Sequence, residues 1–388
     1  MRICVYAICK NEIGYVDKWV ESMSEADEIV VLDTGSTDGT YERLKELGVK
    51  VERQEVTPWR FDVARNISLD MAYETDCDVF LCTDIDEYFD EGWADCVREM
   101  WPENCERGFY MYAWAKSSDD EKVTSFWYDK MHKRGWHWVF PCHECLVKDG
   151  FDHTQSSMRF AGGTYSLEDG DITVTFPEER VHLHHDQNMN TDRSSYLSLI
   201  ELRVEEFPWD RYGWMYLGRE FMFKEKYDEC RETIVEAIEK FSSEWSDIEL
   251  CGLYCTIGDS YMREGRYSEA LPSLTKAMEI LPTARQPMVH IARCYISMNA
   301  LDIAKGYLLH ALRKSEFTGS WLEISSYWTW ETYNWLCFCC YWLGEYHEAL
   351  KWALKAKEYL PGSEMIERNI QVSMEKIREE SDLLARGV

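Results

Sequence analysis

The stretch Val79-Phe80-Leu81-Cys82-Thr83-Asp84-Ile85-Asp86-Glu87 carries an apolar run straight into three acids. Residues 79–82 read as a buried strand. A carboxylate beside a core is costly without a partner, and a divalent cation is a natural one. Asp84 and Asp86 lie two apart, so on extended backbone their side chains leave the same face. Two hard oxygen ligands with other positions open suit Mg²⁺ or Mn²⁺ holding a diphosphate. A solvated acidic turn is the plainer alternative, and the rest of the chain decides between them.

A second cluster, Asp33-Thr34-Gly35-Ser36-Thr37-Asp38-Gly39-Thr40, follows another apolar run. Gly35 and Gly39 permit positive-φ backbone, and Ser36, Thr37 and Asp38 suit the cap of a following helix. Asp33, at the strand's end, is expected to be free for ribose hydroxyls or a base edge. No Gly-Lys-Ser/Thr follows, so this is not a P-loop. A third cluster, Lys10-Asn11-Glu12, ends the first apolar run.

These clusters need elements to hold them. Strands are expected over residues 2–9, 28–32, 49–54 and 77–83, with helices over 14–23, 40–47 and 61–73. Alternation of this kind builds parallel βαβ units. Ligands on such sheets bind at the carboxyl ends of the strands, where Lys10, Asp33 and Asp84 all fall.

The Asp33–Thr40 loop with Asp84-Ile85-Asp86 resembles family 2 glycosyltransferases of the GT-A fold, as do Cys9-Lys10-Asn11-Glu12 and Ala64-Arg65-Asn66. The likeness covers about the first 200 residues. It implies an α/β, Rossmann-like, mostly parallel sheet. It further implies that Asp33, with Asn11 nearby, contacts the nucleoside and that Arg65 lies near the donor diphosphate. Asp84 and Asp86 would hold Mn²⁺ or Mg²⁺ on that diphosphate. Arg60 is a further cation, equally suited to a helix surface.

Aromatic strands are expected at residues 109–115 and 126–131, followed by the aromatic and titratable run from Arg134 to Glu144. Glu144 is the candidate general base, its pKa tuned by apolar neighbours. The resemblance gives His143 a site role beside it. A capping or salt-bridged glutamate is the structural alternative. Cys142-His143-Glu144-Cys145 contains one Cys-x-x-Cys, a poor zinc signal without a second pair. Residues 162–176, with Glu168, Asp169 and Asp171, suit a hairpin better than a lid. In Val181-His182-Leu183-His184-His185-Asp186, His182 and His184 share a strand face. The resemblance implies a late histidine on the metal, with His184 the first choice among His182, His184 and His185. Arg193 is a candidate phosphate contact.

Composition narrows the function. A net charge of −29, from 71 acids and 42 bases, argues against nucleic-acid partners. It also means that an anionic donor needs a metal or a local basic cluster, which Arg65 would supply. The 388 residues contain 45% hydrophobic residues, 17 Trp and 23 Tyr, enough for two cored domains. The first residues enter a strand without a secretory h-region. Fifteen scattered cysteines fit reduced, buried thiols. A cytoplasmic protein without a transmembrane segment is therefore expected.

After Pro208 the sequence repeats. Gly258, Tyr261, Gly265, Tyr267, Ala270, Leu274, Ala277 and Pro282 follow the tetratricopeptide pattern, and Ala292 to Ala311 continue it 34 residues on. Copies also lie at 214–237 and 336–361, with spacings of 40 from Gly218 to Gly258 and 45 from Ala292 to Cys337. The expected division is residues 1–206 for the α/β domain and 207–388 for an all-α repeat domain closed by a capping helix.

The pairing resembles bacterial enzymes that glycosylate Cys or Ser side chains of ribosomal peptides, the sublancin-type S-glycosyltransferases. It implies an inverting transfer of a hexose from a UDP-sugar to a peptide or protein side chain. The repeats would present the acceptor or form a homodimer. Alternatives are a transferase acting on a surface glycan or lipid-linked acceptor, and a repeat scaffold with an inactive transferase half.

Overall fold

The computed structural model describes residues 1–115, 124–150, 159–161, 164–166, 172–186, 194–316 and 324–385. Two compact units divide the chain between Asp210 and Arg211.

In unit 1, β1 (Ile3–Cys9), β2 (Glu28–Asp33), β3 (Lys50–Arg53) and β4 (Val79–Cys82) pair in parallel, in the order β3-β2-β1-β4. The connections carry α1 (Val16–Met23), α2 (Thr40–Glu46) and α3 (Phe61–Tyr73). β1 is apolar on both faces, as a strand covered on both sides must be. Ile3, Val5 and Ala7 join Trp19 of α1 in one core, while Cys4, Tyr6 and Ile8 join Ala64, Leu69 and Ala72 of α3 in another.

Beyond β4 come β5 (Glu87–Phe89), α4 (Trp93–Met100), β6 (Cys105–Ala115) and β7 (Thr124–His132), then β8 (Trp136–Val139) and β9 (Cys145–Lys148). β10 (Arg159–Ala161), β11 (Thr164–Ser166), β12 (Ile172–Thr175), β13 (His182–His185) and α5 (Tyr196–Glu206) complete the unit. The main sheet continues β4-β7-β6-β13-β5, with β12 pairing β6, while β10-β11-β9-β8 forms a second sheet. β7 runs antiparallel to β4 and β6, and β5 antiparallel to β13. Trp136 and Trp138 of β8 are buried in the core under α3. Residues 162–163 and 167–171, within the expected hairpin or lid, and Arg193 lie outside the described residues.

Unit 2 pairs α6 (Arg211–Phe223) with α7 (Tyr227–Lys240), and α8 (Asp247–Arg263) with α9 (Tyr267–Ile280). It then pairs α10 (Arg285–Ser297) with α11 (Leu301–Lys314), and α12 (Trp330–Trp342) with α13 (Tyr346–Tyr359). A short 3₁₀ turn at Ser325–Trp328 precedes α12, and α14 (Glu364–Ala385) follows α13. The repeat's glycines stand where helices cross. A Cβ at Gly218 would meet Ile234 Cγ1 at 2.6 Å, and one at Gly258 would meet Leu274 Cγ at 2.5 Å. α8 starts with a full capping box, Ser246 and Glu249 bonding each other's backbone N–H. Among the described residues no helix is long and apolar enough to cross a membrane. All fifteen cysteines are free thiols, and all are buried.

Candidate active site

Arg65 is the hub. It sits on the buried face of α3, where its Nε donates to Glu144 Oε1 at 2.8 Å and its Nη2 to Asp84 Oδ1 at 2.7 Å. Asn66 fixes the wall behind it, donating to Trp138 O and accepting from Trp138 N, both at 2.8 Å. The Arg65 guanidinium lies 5.5 Å from the Trp138 ring. A second cation, Lys130 of β7, is buried 5.5 Å from the same ring. Burial would raise both nearby carboxyls, but Arg65 and Lys130 outweigh it: Asp84 is held down at about 2, and Glu144 is lowered too. Asp84 is the more open of the two, with 37% of its side chain exposed against 12% for Glu144. Arg60, by contrast, pairs with Asp62 and Glu206.

Asp84 and Asp86 do not lie on extended backbone as expected. β4 stops at Cys82, and Glu87 N donates to Asp84 O at 3.1 Å, closing a turn. The Glu87 carboxylate returns to Asp84 N at 2.9 Å, so this side chain holds the turn. Asp84 consequently faces Arg65, while Asp86 accepts from or shares a proton with His185 Nε2 at 3.1 Å.

The histidine that reaches Asp86 is thus His185 and not His184. β13 pairs antiparallel with β5, His185 opposite Glu87 and His184 opposite Tyr88. Strand alternation turns His184 to the other face, where its Nε2 is 2.9 Å from Asp90 Oδ2. His185 is the histidine brought to Asp86.

Asp33 is not free. It is wholly buried, and its Oδ1 accepts from Gly35 N at 3.1 Å, Ser36 N at 3.0 Å and Arg53 Nε at 3.0 Å. Burial works to raise its pKa, and these donors more than offset it, giving a net lowering. A carboxylate so buried requires such partners. Asn11, in left-handed backbone at φ 60°, accepts from Thr37 N at 2.7 Å and donates its own N–H to Ser36 Oγ at 2.9 Å. Asn11 thus joins the end of β1 to the Asp33 loop. Ser36 and Thr37 make this bridge, while Asp38 caps α2 by accepting from Thr40 N at 3.0 Å.

The loop carrying Glu144 is anchored from α5. Arg203, fully buried, stacks 3.8 Å from Phe140, pairs with Asp210 at 2.6 Å and donates to the carbonyls of Cys142 and His143 at 2.9 and 2.7 Å. His143 itself sits at φ 51°, its ring edge-on to Tyr196 at 6.0 Å. The structure thus brings Arg65, Asp84 and Glu144 into one cluster, and Asp86 beside it in the same turn.

Sequence reasoning assigned no role to Glu12, Lys130, Glu87 or Arg203. Among the described residues, Glu12 Oε2 is buried without a hydrogen-bond partner. Burial first, then Asp86 and Asp84, push its carboxyl well above the usual range. Lys130 carried a signal: it is the lone cation of an aromatic strand, Phe126 to Met131.

Residues 4–140 match the model of glycosyl transferase family 2, and residues 252–283 match a tetratricopeptide repeat. Over 107 residues the chain is 32% identical to the lipopolysaccharide core biosynthesis glycosyltransferase LpsC of Rhizobium meliloti (strain 1021). That alignment covers 26% of this chain and 37% of the relative, so the chain spans well under half of the relative's length. Among solved structures, the MamA protein aligns with 45% of this chain and 86% of its own, at 16% identity and a TM-score of 0.36. A thermophilic TPR protein of Thermus thermophilus aligns with 46% of this chain and 88% of its own, at 19% identity and a TM-score of 0.35. On the two family matches, the chain joins a glycosyl transferase family 2 domain to a tetratricopeptide repeat region.

Proposed function

We propose that this chain is a metal-dependent glycosyltransferase that moves a hexose, with inversion, from a UDP-sugar to a Cys, Ser or Thr side chain of a peptide or protein. The observation that carries the proposal is the meeting of Arg65 with Asp84 and Glu144 at the carboxyl end of β4, within the segment matched by family 2.

The residues present fit a divalent cation. Glu12 Oε2 is a buried carboxylate oxygen without a hydrogen-bond partner among the described residues, and Asp86 and Asp84 press on it electrostatically. Asp84, Asp86 and His185 would hold Mn²⁺ or Mg²⁺, which would neutralise the leaving diphosphate. Arg65 and Lys130 put two cations into a strongly acidic chain where the donor phosphates must enter. Asp33 and Asn11 shape the nucleoside loop by fixing Gly35, Ser36 and Thr37. Glu144 accepts the acceptor proton. Its pairing with Arg65 keeps it a weak base, and its proton affinity rises when Arg65 turns to phosphate. A thiol acceptor, with a pKa of about 8.5, needs less help than a hydroxyl.

The repeats favour a peptide or protein acceptor, since such arrays form extended binding surfaces. The likeness to LpsC favours a second reading, a saccharide acceptor on a surface glycan or lipid carrier. Mass spectrometry of peptide and oligosaccharide acceptors incubated with UDP-hexoses separates the two. Self-association through the repeats is tested by light scattering on the full chain.

The decisive experiment is calorimetric titration of UDP with and without Mn²⁺. Metal-dependent binding that is lost in Asp86→Ala supports the proposal. Binding that ignores both the metal and Asp86 removes the metal from it, and no binding in any condition removes UDP as the donor nucleotide.

A further inference from the structure

The alternation that turns His185 toward Asp86 leaves a second cluster on the opposite face of the β5–β13 ladder. His182 and His184 project from that face of β13, and their rings stack at 4.5 Å between centroids. Asp90 directly follows β5 and faces this pair, with Oδ2 2.9 Å from His184 Nε2. One ligand atom from each of Asp90, His182 and His184 lies within 4.8 Å of the other two. Among the described residues this is the group of three potential ligands gathered so closely. Neither Asp84, Asp86 and His184, the set expected from sequence, nor Asp84, Asp86 and His185 is gathered so closely.

Two further observations point to a ligand. His182 Nε2 is a buried ring nitrogen with no hydrogen-bond partner among the described residues, a state that normally demands explanation. Tyr88 also stacks on the His184 ring, at 5.0 Å between centroids. The nearby Lys18 ammonium, 3.4 Å above the Tyr88 ring, is paired with Asp186 and so does not oppose a cation outright.

We infer that Asp90, His182 and His184 form a second metal site, separate from the donor site, that takes a borderline transition ion such as Zn²⁺, Co²⁺ or Ni²⁺. Two imidazole nitrogens and one carboxylate oxygen select these ions over Mg²⁺ and Ca²⁺, which prefer oxygen alone. Ligand atoms around a tetrahedral Zn²⁺ stand roughly 3.3 Å apart, given bonds of about 2.0–2.1 Å. The three ligand atoms lie within 4.8 Å of one another, Asp90 already 2.9 Å from His184, and the Asp90 side chain is 60% exposed, so small side-chain adjustments reach this spacing. A metal here would cross-link β5 to β13 immediately behind the turn that carries Asp86. Its role is structural: it fastens the edge strand of the sheet and takes no part in transfer.

The test uses the full chain without a polyhistidine tag, stripped by chelator and titrated with Co²⁺ and then Zn²⁺. Visible absorption reports Co²⁺ coordination, and elemental analysis reports stoichiometry. In Asp86→Ala, which disables the proposed donor site, one equivalent with a nitrogen-ligated Co²⁺ spectrum is expected. Asp90→Asn, a substitution at an exposed position that leaves the fold intact by circular dichroism, should weaken binding at least about tenfold. His182→Gln with His184→Gln should abolish the spectrum. Zn²⁺ should also raise the melting temperature of the native chain and not that of the double variant. A native chain that gives no such Co²⁺ spectrum overturns the inference. So does an equivalent that survives both sets of substitutions in the Asp86→Ala background, where the donor site is disabled, or one that disappears in Asp86→Ala alone.

Discussion

Arg65 holds Glu144 across 79 residues of chain, Nε to Oε1 at 2.8 Å, with only 4% of the arginine side chain exposed. The same guanidinium also binds Asp84. Removing one member of a buried ion pair strands the other, which is worse than never having built the pair. Arg65→Gln should therefore lower stability by about 3 kcal/mol, somewhat moderated because Asp84 is partly hydrated. Urea unfolding checks this. Arg65→Lys keeps the charge but not the fork, so it should retain the fold better while losing UDP affinity.

Glycine positions in the repeats should divide sharply. Gly218 and Gly258 stand against buried Ile234 and Leu274, so alanine at either should cost about 1–3 kcal/mol through overpacking. Gly306 of α11 has nothing within 4 Å of a new Cβ. Gly306→Ala should instead stabilise by up to about 1 kcal/mol, through helix propensity alone. Thermal melts of the three variants give the comparison directly.

His132 offers a pH test away from the proposed metal ligands. Its Nδ1 is 2.7 Å from Lys133 O and must donate there, so Nε2 accepts from Tyr6 Oη at 2.9 Å. Burial pushes the imidazole down from 6.5 to about 4. The unfolded chain therefore binds the proton first as pH falls. The contribution of His132 to stability is complete above about pH 6.5 and drains away as pH drops toward 4. Its ring resonances should keep neutral-imidazole shifts at about pH 5.5, and a midpoint near 6.5 would contradict the burial.

The thiols should be quiet. Burial raises Cys82 to about 11 and Cys337 to about 11, and all fifteen cysteines are buried. A thiol reagent at neutral pH should modify few of them in the folded chain and all fifteen after denaturation. Rapid labelling of the native protein would contradict this burial, and mapping the labelled thiols would tell opening of unit 1 from opening of the repeat helices.

Much of the fold was readable because its signals are local. Helix α3 has the bounds that apolar period and flanking residues foretold, Phe61–Tyr73. The repeat helices follow glycine and alanine positions that recur every 34 residues. Arg65, Asp84 and Glu144 were recognisable as residue types in motifs, but their mutual pairing joins α3, the end of β4 and the loop before β9. The misplaced details were those that neighbours decide. Asp33 is bonded by Gly35 and Ser36 of its own loop and by Arg53 of β3, because burial leaves it no water. His185 meets Asp86, and His184 meets Asp90, because one step of register against β5 reverses every side chain. Glu12 and Lys130 lie far apart in sequence from the carboxylates whose charge they feel.

The pairing of β5 with β13 sets an order of assembly. Glu87 waits for His185 across almost a hundred residues, and β13 also wedges between β5 and β6. Such distant closure is entropically slow. During synthesis the acidic turn is made early but lacks its histidine until the chain has grown past residue 185. A fragment ending at 140, where the family 2 match stops, would expose β5 and Tyr112 as an unfinished edge. The nascent chain would thus lack the Asp86–His185 contact, and stay open to strand-mediated aggregation, until that one late strand slots into place.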